Sequence, residues 1–197
     1  MKYKLLFCFF TFFSFFALSQ NFKGGIIAGV STSQVSGDNL AGFNKAGLFI
    51  GGFTQLPISK ISNIKMEMNY IQKGSNNPKM LENGFTDIST SYIEIPASIN
   101  YYQNSLTCFE IGIQTAFLLN SSDNDLSGVI INNPNEFNKI DLGAFIGMYY
   151  HLKDNVLLNS RISNSILPIR PHPSGITYRF NKGQYNTVLS FTLHYIL

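Results

Sequence analysis

Two stretches of this chain hold residues whose types and spacing could do chemistry. The first is SSDNDLSGV, residues 121–129. It sets Asp123, Asp125, Ser127 and Gly128 like the start of a calcium loop. Such a loop also needs a bidentate glutamate at its twelfth position, where this chain has Pro134. The stretch therefore reads as a polar loop. The second is PIRPHPSG, residues 168–175, with Arg170, His172 and Ser174. A histidine beside a serine can activate the hydroxyl for acyl transfer or hydrolysis. No acid stands by to orient the ring, and a histidine between two prolines reads as a rigid loop residue. His151 and His194 are isolated in the sequence and make no metal site. Cys108 reads as a small buried residue. No catalytic, metal-binding or cofactor-binding residue is assigned, and no cofactor is implied.

The first twenty residues, MKYKLLFCFFTFFSFFALSQ, bear on where the chain works. Lys2 and Lys4 precede an apolar run from Leu5 to Leu18, and Ala17-Leu18-Ser19 is a small-x-small site. The pattern is that of a secretory signal peptide, residues 1–19, with cleavage after Ser19. The run is short for a membrane-spanning helix. Loss of Lys2 and Lys4 leaves twelve basic residues against eleven acidic ones. The basic character thus belongs mostly to the signal, and a nucleic-acid partner has no support. Cys8 goes with the signal, so Cys108 has no disulfide partner in the same chain. Residues 20–197 read as one domain.

Along that domain apolar and polar residues alternate, the signature of strands with two unlike faces. In SYIEIPASINYY, Ile93, Ile95, Ala97 and Ile99 oppose Glu94, Pro96, Ser98 and Asn100. Similar stretches span 23–32, 45–55, 62–73, 107–119, 138–151, 155–166 and 184–197, which with 88–102 gives eight strands. In the last, Tyr185, Leu189, Phe191, Leu193 and Tyr195 share the apolar side against Asn186, Ser190, Thr192 and His194. The strands are longer than the five or six residues usual in soluble sheets and match a tilted membrane crossing. Short connections at 56–61, 103–106 and 152–154 alternate with long polar ones at 33–44, 74–87, 120–137 and 167–183. Short turns on one rim and long loops on the other are the plan of an outer-membrane barrel. The expected fold is all-β: an eight-stranded antiparallel up-and-down transmembrane β-barrel with a filled lumen. An even strand count puts both termini on the short-turn rim, facing the periplasm of a bacterial outer membrane.

In lipid the apolar parity faces outward and the polar parity inward. Lys65, Glu67, Glu94, Glu110 and Arg161 then share a lumen that eight strands leave only wide enough for side chains. Unpaired charges there are costly, so these five are expected to form one hydrogen-bonded cluster of structural role. Arg161 is its expected bidentate member. Glycines at 25, 29, 112, 143 and 147 are expected to make room for larger inward neighbours. Pro96, which lacks an N–H, is expected at a bulge or weakly paired point. The third loop is acidic (Asp123, Asp125, Glu136) and the fourth basic (Arg170, Arg179, Lys182). The two could attract each other or hold lipopolysaccharide phosphates, but solvated charge is the reading preferred here.

The stretches KGGIIAGVSTSQVSG (23–37), AGLFIGGFTQLPIS (46–59), MEMNYIQKGS (66–75), SYIEIPASINYY (91–102), FEIGIQTAFLL (109–119) and IDLGAFIGMYYHL (140–152) follow one another in order. This series resembles the PorT-like outer-membrane β-barrel family, on YIQKG followed by YIEIP above all. The resemblance covers essentially the whole mature chain and implies an eight-stranded barrel. It links the family's founding member to protein secretion and supplies no catalytic residues. Three functions fit: a non-enzymatic structural or interaction barrel whose loops contact a partner protein, glycan or lipid; an accessory part of a secretion system; a membrane-embedded lipid-modifying enzyme. A wide pore would need about sixteen strands.

Overall fold

A computed structural model describes residues 22–38, 40, 42–78, 87–125, 128–129, 136–171 and 183–197. The predicted signal peptide, Ser127, His172, Ser174, Arg179 and Lys182 lie outside the described residues, as does the side chain of Asp125.

Among the described residues nine strands form in chain order: β1 (Lys23–Ser36), β2 (Lys45–Ser59), β3 (Ser62–Ser75), β4 (Asp87–Tyr102), β5 (Thr107–Asp125), β6 (Gly128–Val129), β7 (Ile140–Lys153), β8 (Val156–Ser165) and β9 (Tyr185–Ile196). β6 is a two-residue return on the tip of β5. The other eight close into a ring of neighbouring antiparallel strands, sealed by β1 against β9 and by β4 against β5. Closure leaves no strand without a neighbour on each side. Leu197 N–H reaches back to the Gly24 carbonyl at 3.0 Å, so both ends of the barrel chain lie on the short-turn rim.

The wall keeps the expected parity. Ile93, Ile95 and Ile99 face outward with Ile64, Met66 and Met68 of β3, while Glu94, Ser98 and Asn100 are buried. Gly112 and Gly147 show what the inward glycines do. A Cβ on Gly112 would stand 2.5 Å from the Phe145 ring, and one on Gly147 would stand 2.3 Å from a Glu110 carboxylate oxygen. Pro96 sits where the β3–β4 pairing passes from Met66↔Ala97 to Asn69↔Glu94 with no residue inserted. The point is weakly paired and not a bulge; the β4–β5 irregularity lies at Ser91/Tyr92.

Several boundaries differ from expectation. The first turn is Lys60–Ile61, because β2 runs on through Leu56–Ser59 with an irregularity at Pro57. β1 and β5 extend beyond the apolar band, into segments whose polar composition resembles loops. Tyr185 is buried and not on the lipid face. It lies at the long-loop rim, where the chain folds back through bonds between Ile169, Arg170 and Gln184.

Candidate functional site

The lumen is filled by two charged clusters, one nearer the turn rim and one nearer the loop rim. Pairing sets their heights: Glu110 stands opposite Asn100, whereas Glu94 stands opposite Asn69 and Ala116, further toward the loops. The five predicted residues therefore divide between two clusters.

On the turn side Arg161 bridges two carboxylates. Its Nε and Nη2 donate to Glu110 at 2.8 and 2.9 Å, and its Nη1 and Nη2 to Glu67 at 3.0 and 2.7 Å. This double fork is geometry that a planar guanidinium provides and an ammonium does not. Its face lies 4.2 Å from the Phe145 ring centre. Asn69 donates to Glu67 and Asn159 to Glu110, both at 2.8 Å. Lys65 lies 3.5 Å from Glu67 and donates to Tyr149 Oη at 2.8 Å and to His194 Nδ1 at 3.0 Å. An ammonium accepts nothing, so Nδ1 of His194 must be the acceptor and its proton sits on Nε2, 3.0 Å from Thr192 Oγ1. His194 is thus no isolated residue. The inward parity of β9 carries it across to β3.

On the loop side the cation is Lys73, which the sequence reading did not place in the cluster. It pairs with Glu94 at 2.5 Å and Asp141 at 3.5 Å. Glu94, expected in one cluster with Arg161, bonds Lys73 and Gln114 instead, the latter at 3.0 Å. Register is the cause, since Arg161 lies opposite Gly147 and Ser190, at the level of Glu110. Asn186 donates to Asp141 at 3.0 Å. Among the described residues Asp141 Oδ1, Asn186 Oδ1 and Tyr92 Oη have no hydrogen-bond partner. The missed members left faint signals. Lys73 shares parity with Lys65, Glu67 and Asn69, but Ile71 interrupts the polar series. Tyr149 stands on the inward parity of β7, where its aromatic ring resembles a wall residue.

The loop rim is closed by a third group. Arg170 donates to Asp123 at 2.7 Å and to Gln184 at 2.5 Å, and stacks 4.2 Å over Phe137. Val35, Ile88 and Ile169 pack together at this rim, with Phe137 against them. Third and fourth loops are therefore joined by a buried ion pair, in place of the solvated charge expected for Asp123 and Arg170. Asp123 lies on an extended strand with one carboxylate oxygen bonded to Arg170, which does not match the opening of a calcium loop. Cys108 packs against Tyr149 and Leu157.

A closed eight-stranded ring with an apolar outside and charged inside is a membrane-spanning β-barrel. Residues 17–169 match the outer membrane protein beta-barrel domain family, and the chain belongs to that family. Its fold is similar to that of Ail, the attachment invasion locus protein of Yersinia pestis, with a TM-score of 0.54 at 12% identity over 89% of this chain and 98% of that one. A second Ail structure, in complex with the heparin analogue sucrose octasulfate, gives 0.53 at 11% over 89% and 99%. Neisserial surface protein A gives 0.52 at 14% over 88% and 96%. No curated protein matches this sequence. The protein is an outer-membrane β-barrel.

Proposed function

We propose that the protein is a non-enzymatic interaction barrel of the outer membrane. Residues 1–19 direct export and are removed, the termini face the periplasm, and the long loops face outward. The observation that carries this reading is the packing of the lumen. Three tied polar groups, around Arg161, Lys73 and Arg170, occupy successive levels, and in each the cation holds a carboxylate. A scaffold with a filled lumen offers no passage through its centre, and contact with a partner, glycan or lipid then falls to the loops and the upper wall. The complex of Ail with a heparin analogue supports a glycan as one such partner.

Cysteines placed in the four long loops should react with an impermeant label on intact cells, and cysteines at Ser59 or Asn104 should not. The opposite set would reverse the topology. Steady, selective conductance in planar bilayers would refute the filled scaffold. YIQKG and YIEIP favour a second reading, an accessory role in secretion as in the PorT-like branch. Capture of the barrel with secretion components from native outer membranes, lost on loop deletion, would support it.

A further inference from the structure

β2 and β3 pair only as far as Phe49↔Ile71. Beyond that, β2 continues along β1 to Lys45, and β3 continues along β4 to Ser75. The seam opens because β3 turns inward. Ser31 and Ser33 of β1 donate to the Gln72 and Gly74 carbonyls at 2.9 and 3.0 Å, reaching past β2. Gly47 allows this passage, since a Cβ there would stand 2.3 Å from the Gln72 carbonyl oxygen. The Gln72 side chain covers part of the opened edge, accepting from Leu48 N–H at 3.2 Å and donating to Tyr70 Oη at 3.2 Å.

What remains open is a notch of about 270 Å³ in the outer wall, lined by Lys45, Gln72, Ser89, Ser91 and Ser122 among others and backed by Lys73, whose ammonium is paired with Glu94 and Asp141. By the same measure a single water needs roughly 10–15 Å³. Lys45 reaches across the seam, its Nζ 2.5 Å from Ser89 Oγ. Lys65, Lys73, Arg161 and Arg170 each hold a carboxylate; among the described residues Lys45 holds none. Below the notch the wall is Met68, Ile93 and Phe117; at its level it is Gln72, Ser91 and Asn120. The notch therefore sits at the boundary between hydrocarbon and headgroups on the loop side.

We propose that this notch seats the phosphate of one lipid headgroup in the outer leaflet, with Lys45 as the charged donor and the seryl hydroxyls as neutral ones. A lysine serves here as a point charge for phosphate, and the acyl chains lie along the apolar wall beneath. The assignment to the outer leaflet rests on the topology proposed above; the notch itself does not.

The test uses the folded barrel in neutral detergent, titrated with phosphatidic acid, phosphatidylcholine or inorganic phosphate and read by native mass spectrometry. One phosphatidic acid should be retained in preference to phosphatidylcholine, and equimolar inorganic phosphate should not displace it. Lys45→Gln should weaken retention roughly tenfold. Lys45→Arg should keep it, and Lys139→Gln, at an exposed lysine outside the notch, should leave it unchanged. Heat-modifiability checks that each variant is folded. Equal retention by Lys45→Gln and wild type, equal retention of phosphatidylcholine, or displacement by free phosphate would each overturn the proposal. Binding in detergent is independent of orientation, so a reversed topology in the labelling experiment would move the notch to the other leaflet without removing it.

Discussion

The two ends of the lumen solve the same problem differently. The turn-side cluster sets two cations, Lys65 and Arg161, against two carboxylates, Glu67 and Glu110, and its guanidinium makes four bonds to them. The loop-side cluster sets one cation, Lys73, against two carboxylates, Glu94 and Asp141, and among the described residues leaves three atoms without partners, Asp141 Oδ1, Asn186 Oδ1 and Tyr92 Oη, against one on the turn side, Asn69 Oδ1. A forked, balanced group fixes strands β3, β5 and β8 relative to one another. A point charge with two acids admits more than one arrangement. The turn end is accordingly the rigid floor, and the loop end is the part that can adjust beneath the surface loops.

The largest effect should come from the floor. Arg161→Met leaves Glu67 and Glu110 buried without their guanidinium, and breaking such a group costs about 5 kcal/mol at the upper end of the usual range. Urea unfolding in lipid vesicles measures it. Adding Glu67→Gln and Glu110→Gln to Arg161→Met should recover much of the loss, because the expensive species is the unpaired charge. No recovery would mean that the guanidinium acts mainly through packing on Phe145.

Lys73→Met should cost less, about 3 kcal/mol, because the partners at the loop end are fewer and already incompletely bonded. Double-mutant cycles sharpen the contrast. Glu94→Gln should couple to Lys73→Met, their direct contact being 2.5 Å. It should add to Arg161→Met within about 0.5 kcal/mol, since the two share no partner. Coupling between Glu94 and Arg161 would merge the two clusters into one.

These couplings mark the limit of what the sequence shows. Alternation fixed which face of each strand looks inward, and loop lengths fixed the rim on which the chain ends. Both are local properties. Partner choice is not local. Whether Glu94 meets Arg161 or Lys73 depends on how far β4 is staggered against β3 and β5, and one strand's pattern does not carry the stagger. Arg161, expected to fork to one or more of the three glutamates, reaches Glu67 and Glu110 because β8 places it at their height. Asp141, Tyr149 and His194 were visible on inward parities, but nothing in the sequence said they converge. The parting of β2 from β3 left only Gly47 and a polar Gln72 as traces.

The rim pair tests the third level. Arg170→Met removes the bonds to Asp123 and Gln184. The loss should be about 1.5–3 kcal/mol, the range for hydrogen bonds to charged groups, and it should fall on the loops. Limited proteolysis should then cut the third or fourth loop faster while heat-modifiability of the barrel is kept. Unchanged cleavage would mean that Val35, Ile88 and Ile169 hold the rim alone.

The smallest effect concerns Asp38, in the first loop. Burial raises its pKa above the ordinary carboxylate value, outweighing the Ser75 hydroxyl, the Leu40 amide and the Arg170 charge, which all lower it. The folded state therefore holds this proton more tightly than the unfolded chain. The contribution to stability is full below the ordinary range near pH 4 and is lost as pH rises through the folded value. At neutral pH the ionised side chain is a mild burden. Asp38→Asn keeps an oxygen for Leu40 N–H, 2.9 Å away, and removes the buried charge. It should stabilise the barrel by no more than about 0.5 kcal/mol at pH 7, and the difference from wild type should vanish below pH 4. A loss of stability at pH 7 would show that attraction to Arg170 outweighs burial, and would tie the first loop to the same rim that Arg170 closes.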